Sequence, residues 1–253
     1  MLNIVIPMAG RGSRFTQAGY TMPKPLIPIH ENKTMIELVI SNLRPAREHR
    51  FIFLCLRQHI EEYQIDQKLE KILPSCQILK VNTVTEGAAC TVLLAKALVC
   101  NNDPLMIANC DQWIDFDINE YLLAMDRDQA DGFIMTMTAN DPKWSFIHFS
   151  GSGKITEVVE KEPVSDEATV GIYNFKRGKD FVQATEIMIE KNLRVKNEFY
   201  VAPVFNQMIE KEMKIGYLNI GSEFNGMYGL GIPTDLAKFE KHSISEKALK
   251  FCD

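Results

Sequence analysis

The residues best suited to chemistry lie close together near the N-terminus, in the stretch MAGRGSRFTQAGYTMPKPLIPI that follows a short apolar run. The residues in this stretch that suit phosphate binding are Gly10, Gly12, Ser13, Arg14 and Lys24. Glycines let a backbone approach a ligand closely, and converging backbone N–H groups with nearby cations bind phosphate oxygens. Arg14 can contact a phosphate with two hydrogen bonds. The stretch therefore predicts a loop that binds the phosphates of a nucleoside triphosphate.

Two better-known phosphate loops do not fit this spacing. A P-loop requires G-x-x-x-x-G-K-[ST], and a dinucleotide fingerprint requires G-x-G-x-x-G. Phe15 stands where both patterns need a glycine. Lys24 lies instead between Pro23 and Pro25, which stiffen the chain and so reduce the entropy lost when the lysine binds an anion. The remaining alternative is a glycine-rich surface turn with solvated arginines.

The elements that must position this loop alternate in type along the first half of the chain. Strands are predicted over residues 2–7, 50–56, 77–81 and 104–108, with helices over 34–43, 60–73 and 88–99. Such alternation predicts an α/β fold with a mostly parallel central sheet flanked by helices. Parallel sheets bind ligands at the carboxyl ends of their strands, where the long loop over 10–29 and Asp111 are both expected.

The pattern changes after residue 117. Strands are predicted over 131–138, 147–149, 154–159, 169–175 and 214–220, and helices over 179–191, 201–212 and from 236 onward. A hairpin turn at 150–153 indicates antiparallel additions to the sheet in this C-terminal half. Since no linker separates the halves, we expect a single domain over 1–253, with a nucleotide-binding half over 1–117 and an acceptor-binding half over 118–253.

Asp111 is the strongest candidate for a metal ligand. It follows a predicted strand, and Mg²⁺ prefers oxygen ligands such as one or two carboxylates with phosphates and water. A turn or helix-capping aspartate is the alternative interpretation. Asp115 and Asp117 lie close by and are expected to be solvated or to cap a helix.

Several motifs together resemble the sugar-phosphate nucleotidyltransferase family. They occur in order as GRGSR at 10–14 with PKPL at 23–26, EGAA at 86–89, NCD at 109–111, VEKEP at 159–163 with VGIY at 170–173, and GIPTDL at 231–236. The resemblance implies a Rossmann-like fold of the nucleotide-diphospho-sugar transferase type. It also implies an enzyme that joins a nucleoside triphosphate to a phosphorylated small-molecule acceptor and releases pyrophosphate, with Mg²⁺ as cofactor.

The resemblance assigns roles to individual residues. Catalysis is expected from Arg14, Lys24 and Asp111, with Mg²⁺ on Asp111. Nucleotide binding is expected from Ala9, Gly10, Arg11, Gly12, Ser13, Arg14, Lys24, Glu86, Gly87 and Asn109. Acceptor binding is expected from Lys143, Trp144, Glu160, Lys161 and Tyr200. For Trp144 and Tyr200 a place in the core is an equal alternative, and for Lys161 an exposed ion pair.

One position departs from the family pattern. Many relatives carry a second metal-binding aspartate where this chain has Gly229, so a complete two-carboxylate site is not expected. A non-catalytic sensor with this fold is one alternative. A glycosyltransferase of the same fold, which would use Asp115-Phe116-Asp117 as a D-x-D metal motif, is another.

The choice of nucleotide and acceptor depends on the resemblance alone. The N-terminal half looks most similar to cytidylyltransferases of capsular polysaccharide assembly, which implies CTP. An amino-acid phosphate acceptor would need a partner for its carboxylate and one for its ammonium, for which Lys143 and Glu160 are candidates.

Composition excludes some partners. The 253 residues carry a formal net charge of -5, so nucleic acid is not an expected ligand. The six cysteines form no C-x-x-C pair, which argues against a zinc site and is typical of reduced thiols. The apolar run Ile4-Val5-Ile6 is too short for a signal peptide, and no run is long enough to cross a membrane, so we expect a cytoplasmic protein.

Overall fold

The computed structural model describes residues 1–30 and 33–250. The strands in these ranges are β1 (Leu2–Met8), β2 (Pro28–Ile29), β3 (Lys33–Thr34), β4 (His49–Leu56), β5 (Gln77–Val81), β6 (Leu105–Ala108), β7 (Gln112–Ile114), β8 (Gly132–Thr138), β9 (Ser145–Phe149), β10 (Ile155–Glu160), β11 (Glu167–Phe175), β12 (Ile215–Glu223) and β13 (Gly226–Gly229). The helices are α1 (Ser13–Gln17), α2 (Met35–Leu43), α3 (Arg57–Tyr63), α4 (Ile65–Ile72), α5 (Ala88–Leu93), α6 (Lys96–Val99), α7 (Ile118–Asp128), α8 (Gly178–Glu190), α9 (Val204–Ile209), α10 (Pro233–Lys241) and α11 (Ile244–Lys250).

The first half forms the predicted parallel sheet. β1 pairs in parallel with β4 on one side and β6 on the other, and β4 pairs in parallel with β5. Side chains of β1 alternate between two core clusters, with Ile4 and Ile6 on one face of the sheet and Val5 on the other. A strand covered on both faces can be continuously apolar, which is why this run lacks an alternating pattern.

The second half extends the same sheet with mixed pairing. The strand order is β5-β4-β1-β6-β11-β8-β12-β13-β7. β11 runs antiparallel to both β6 and β8, whereas β12 is parallel to β8. β9 and β10 form an antiparallel hairpin beside β11. The expected fold class, a mostly parallel α/β sheet with antiparallel additions, is therefore confirmed.

Several predicted elements differ in detail. The loop predicted over 10–29 contains α1 and a 3-10 turn at Lys24–Leu26. The single helix predicted over 60–73 is α3 followed by α4, because Gln64 between them is left-handed with φ 54°. The helix predicted over 88–99 is likewise two short helices, and the one predicted over 201–212 is limited to α9.

The elements that were not predicted are α1, α7, α11 and the short strands β2, β3, β7 and β13. α7 had a readable signal, because Ile118, Tyr121, Leu122 and Met125 are buried at helical spacing. The strands β7 and β13 are three and four residues long, too short for a periodic pattern. In the described part of the chain, no helix combines the length and the apolar character that crossing a membrane requires.

Candidate active site

The predicted phosphate loop leaves the carboxyl end of β1. Ala9 is buried, whereas Gly10, Arg11, Ser13 and Arg14 are exposed. Gly12 precedes α1 in the left-handed region at φ 61°, and a Cβ on it would lie 3.3 Å from Cβ of Lys24. Glycine at position 12 therefore satisfies both the backbone conformation and the close approach of the loop to Lys24.

Lys24 and Asp111 meet at the end of the sheet. The Lys24 ammonium donates a hydrogen bond to Asp111 Oδ2 at 2.8 Å, and about a fifth of each side chain is exposed, 23% and 22%. Burial alone would lower the pKa of Lys24. The nearby Asp111 carboxylate opposes this effect, and the net result is a pKa above the ordinary value of lysine. Lys24 is therefore a fixed positive charge next to the loop.

Asp111 fits a site for Mg²⁺ held by one protein carboxylate. The Asp111 carboxylate lies against the backbone of Gly231, where any side chain would collide with it. The Asp111 carbonyl accepts a hydrogen bond from the Leu230 N–H at 2.8 Å. Residues 1–30 and 33–250 contain no cluster of three or more His, Cys, Asp or Glu side chains suited to a metal. A single carboxylate suffices when phosphates and water supply the remaining ligands of Mg²⁺.

Gly229 ends β13 beside this carboxylate site. A Cβ on Gly229 would have Asp235 Oδ2 and the Trp144 ring as its nearest neighbours, both at 3.9 Å. Asp235 lies in the first turn of α10, but the residue at the N-cap is Ile232. Asp235 therefore lies inside the helix rather than capping it, because Pro233 starts the helix two residues earlier.

The Glu86–Gly87 loop precedes α5 and contacts the second half of the chain. Gly87 has φ 132°, a conformation that favours glycine. The Glu86 carbonyl accepts a hydrogen bond from the Phe199 N–H at 2.8 Å, and its carboxylate pairs with Arg194 at 3.1 Å. Asn109 is exposed at the end of β6, and its N–H donates to the Gly171 carbonyl at 3.1 Å.

Glu160 is the buried carboxylate of the predicted acceptor group. It is 9% exposed, and its Oε2 accepts a hydrogen bond from Ser145 Oγ across the β9–β10 pair. Burial raises the pKa of Glu160, while the Ser145 bond and the Lys161 charge oppose that rise. The Tyr173 hydroxyl, hydrogen-bonded to Thr169 at 2.9 Å, lies on the neighbouring strand β11.

Lys161, Tyr200 and Trp144 lie around this carboxylate. The Lys161 ammonium lies 3.8 Å from Glu160, donates to the Tyr200 hydroxyl, and lies 4.2 Å from the centre of the Tyr200 ring. The Lys161 N–H donates to the Trp144 carbonyl at 2.9 Å. Both aromatic side chains are half-buried, so neither is a fully buried core residue.

Lys143 extends the acceptor cluster toward solvent. Its ammonium pairs with Glu223 at 2.6 Å and lies 4.8 Å from the Trp144 ring. Trp144 Nε1 is buried with no hydrogen-bond partner within the described ranges. A ligand could reach Lys143 at the surface, but it would compete with Glu223 for the ammonium.

An open cavity of about 1030 Å³ adjoins the phosphate loop. Arg11 and Ser13 line one side of it, and Tyr20, His59 and Tyr63 line another. These aromatic residues belong to no recognisable motif, since their spacing matches ordinary helix and loop positions. A second cavity of about 450 Å³, between β12 and the hairpin turn at 150–153, contains none of the predicted site residues.

The D-x-D alternative does not fit the structure. Asp115 pairs with Lys247 of α11. Asp117 caps α7, its carboxylate accepting the Asn119 N–H at 2.8 Å. Asp117 thus caps a helix as expected, whereas Asp115 forms an ion pair that was not expected.

Comparison with known proteins agrees with this geometry. A sequence model of the Nucleotidyl transferase family matches residues 4–220. The chain is 25% identical over 250 residues to the bifunctional protein GlmU of Methanococcus maripaludis, with 97% of this chain and 55% of the relative covered. It is 22% identical over 239 residues to mannose-1-phosphate guanylyltransferase catalytic subunit beta of Danio rerio, with 90% and 64% covered. The chain thus spans between half and two thirds of the length of these relatives.

Solved structures share the fold over nearly the whole chain. A nucleoside-diphosphate-sugar pyrophosphorylase from Vibrio cholerae RC9 has a TM-score of 0.80 and 28% identity, with 94% of this chain and 100% of that chain covered. The inositol-1-phosphate CTP transferase from T. maritima has a TM-score of 0.74 and 14% identity, with 98% and 95% covered. The second likeness concerns the fold alone.

Proposed function

The chain belongs to the Nucleotidyl transferase family, and we propose that it transfers CMP from CTP to a phosphorylated small molecule and releases pyrophosphate. The observation that carries the proposal is the Lys24–Asp111 pair, held at 2.8 Å beside the glycine-rich loop at the ends of β1 and β6. This pair brings together a phosphate-binding cation and an oxygen ligand for Mg²⁺ at the edge where parallel sheets bind nucleotides.

The proposed reaction is an in-line displacement. An oxygen of the acceptor phosphate forms a bond to the α-phosphorus of CTP, and the bond from that phosphorus to the bridging oxygen of the β-phosphate breaks. The electron pair leaves with pyrophosphate. Such a transfer needs alignment and neutralisation of charge rather than a covalent intermediate on the protein.

The chain's own residues supply most of that alignment. The backbone from Ala9 to Ser13 surrounds the phosphates, Arg14 binds the β- and γ-phosphates, and Lys24 faces the α-phosphate. Asp111 would hold Mg²⁺, which neutralises charge on the phosphates when bound. Glu86, Gly87 and Asn109 contact the base and ribose, so the nucleotide uses the half over 1–117. Preorganised charges of this kind are usually the largest contribution to catalysis.

The acceptor half over 118–253 provides a cation and a buried carboxylate. Lys161, directed by Tyr200, binds the acceptor phosphate. Glu160 accepts hydrogen bonds from polar groups of the acceptor, and its carboxylate is the group that would meet an acceptor ammonium. Trp144 and Lys143 form the outer wall, where Lys143 would meet a carboxylate.

Our specific hypothesis for the acceptor is L-glutamine phosphate, which gives CDP-L-glutamine. The N-terminal half resembles the CTP:phosphoglutamine cytidylyltransferase of capsular polysaccharide modification, and this resemblance is the support for the hypothesis. Transfer to a sugar 1-phosphate is the alternative, since the relative mannose-1-phosphate guanylyltransferase is named for such chemistry. The expected location remains the cytoplasm.

Pyrophosphate release tests the proposal. The protein with Mg²⁺ is mixed in turn with CTP, UTP, GTP, ATP or dTTP, and with L-glutamine phosphate, inositol 1-phosphate or hexose 1-phosphates. We expect release with CTP and L-glutamine phosphate. Release with a sugar 1-phosphate alone would overturn the acceptor hypothesis. The absence of release with every pair would favour a non-catalytic nucleotide sensor.

A further inference from the structure

Phe199 lies directly on the Glu86–Gly87 loop. The Phe199 N–H donates to the Glu86 carbonyl at 2.8 Å, and the Ala89 N–H donates to the Phe199 carbonyl at 3.0 Å. A Cβ on Gly87 would lie 2.6 Å from the Phe199 nitrogen, so only glycine allows this approach. The Phe199 ring is fully buried, which makes the contact between loop and segment a stiff one.

Arg194 joins the same two parts from the surface. Its guanidinium donates to the Glu86 carboxylate at 3.1 Å and lies 4.2 Å from the centre of the Phe199 ring. The intervening turn is mostly exposed, and Lys196 and Asn197 in it are left-handed. Within the turn, Val195 and Glu198 form an isolated backbone bridge. The inner end of this segment is therefore positioned chiefly by the core, Arg194 and the Glu86–Gly87 loop.

Tyr200 connects this segment to Lys161. The Lys161 ammonium donates to the Tyr200 hydroxyl and lies over its ring at 4.2 Å. Lys161 itself is left-handed with φ 61° just after β10, where strand pairing has ended. The ammonium is thus directed by Tyr200, the residue next to Phe199, together with Glu160 at 3.8 Å.

We propose that Arg194, Phe199 and Tyr200 are positioning residues that couple the two substrate sites. The proposal rests on the proposed function, which gives the Glu86–Gly87 loop a nucleotide and Lys161 a phosphate. A nucleotide that contacts the loop restrains Phe199 and Tyr200, which in turn order Lys161. Less conformational entropy of the Lys161 side chain is then lost when the acceptor phosphate binds. By linkage, each ligand tightens the binding of the other.

Phosphorus NMR titration with inorganic phosphate measures this coupling without turnover. Each protein is titrated with and without Mg²⁺ and saturating α,β-methylene CTP, and Lys161→Met identifies the phosphate binding that depends on Lys161. In the unmodified protein we expect the nucleotide to tighten that binding at least about fivefold. Arg194→Gln and Tyr200→Phe should reduce the effect to less than about twofold, while Arg194→Lys restores part of it.

Arg47→Gln is the matched control. Arg47 pairs with Asp126 at 2.7 Å with exposures of 34% and 56%, close to the 29% and 67% of Arg194 and Glu86. It should leave the coupling unchanged. A full nucleotide effect in Arg194→Gln and Tyr200→Phe would overturn the proposal, and so would phosphate binding that is independent of Lys161. Pyrophosphate release judges the proposed function separately. If release persists, the first outcome rejects only the coupling, and the second also rejects Lys161 as the residue that binds the acceptor phosphate.

Discussion

Replacing Lys24 with methionine tests the phosphate site by removing a charge at nearly constant side-chain length. The lysine ammonium lies 2.8 Å from Asp111 Oδ2. Unit charges at that separation interact by roughly 6 kcal/mol at an effective dielectric constant near 20, before any cost of desolvation. Since about a fifth of each side chain is exposed to solvent, the net loss of stability should be smaller, about 2 kcal/mol.

The effect of Lys24→Met on turnover should exceed its effect on stability. Loss of one preorganised charge contact at a developing negative charge costs about 100-fold or more in turnover. We would measure pyrophosphate release at saturating CTP, Mg²⁺ and acceptor, and stability by urea denaturation. Lys191→Met is the control, because Lys191 pairs with Glu210 at 2.7 Å on an exposed surface. It should lose less than about 1 kcal/mol and keep its turnover. Full turnover in Lys24→Met would refute the assigned role.

Three further variants test the rest of the site. Gly87→Ala should lower the free energy of unfolding by about 3 kcal/mol or more in a urea titration, because the added Cβ would collide with the Phe199 backbone. Gly151→Ala is the control, since a Cβ there meets no atom within 4 Å. Equal losses of stability in the two variants would contradict the argument. Gly229→Asp should tighten Mg²⁺ binding by about tenfold in calorimetry, since it adds a carboxylate where space exists; unchanged affinity would count against the metal site. Burial raises the pKa of Glu160 above 4.5, so the folded state holds this proton more tightly and stability falls as pH rises from 4.5 through the folded pKa. Glu160→Gln should remove that fall, and an unchanged pH profile of unfolding would show that the carboxylate is not the source.

The parallel half of the fold was predictable because its strands are continuously apolar and separated by helical patterns. The same feature predicted that the loop after β1 and Asp111 after β6 would meet, as they do through Lys24. The two halves of the helix predicted over 60–73 could not be separated, because Gln64 adopts its left-handed conformation without a glycine or proline to indicate it.

The acceptor side was less predictable because its contacts are long-range. Ser145 and Glu160 are brought together by the pairing of β9 and β10. Arg194 gave no motif at all, and its contact with Glu86 spans 108 positions. By contrast, α7 was predictable in principle, because its apolar residues recur at helical spacing and Asp117 is a favourable N-cap residue.

The claim that the segment from Gly10 to Lys24 binds a triphosphate can be tested most directly by a crystal structure with α,β-methylene CTP and Mg²⁺. We expect the phosphate chain to contact the backbone around Gly12 and the side chains of Arg14 and Lys24, with the metal on Asp111. A phosphate chain bound elsewhere on the protein, or a well-ordered nucleotide that leaves Lys24 and Asp111 untouched, would contradict the account.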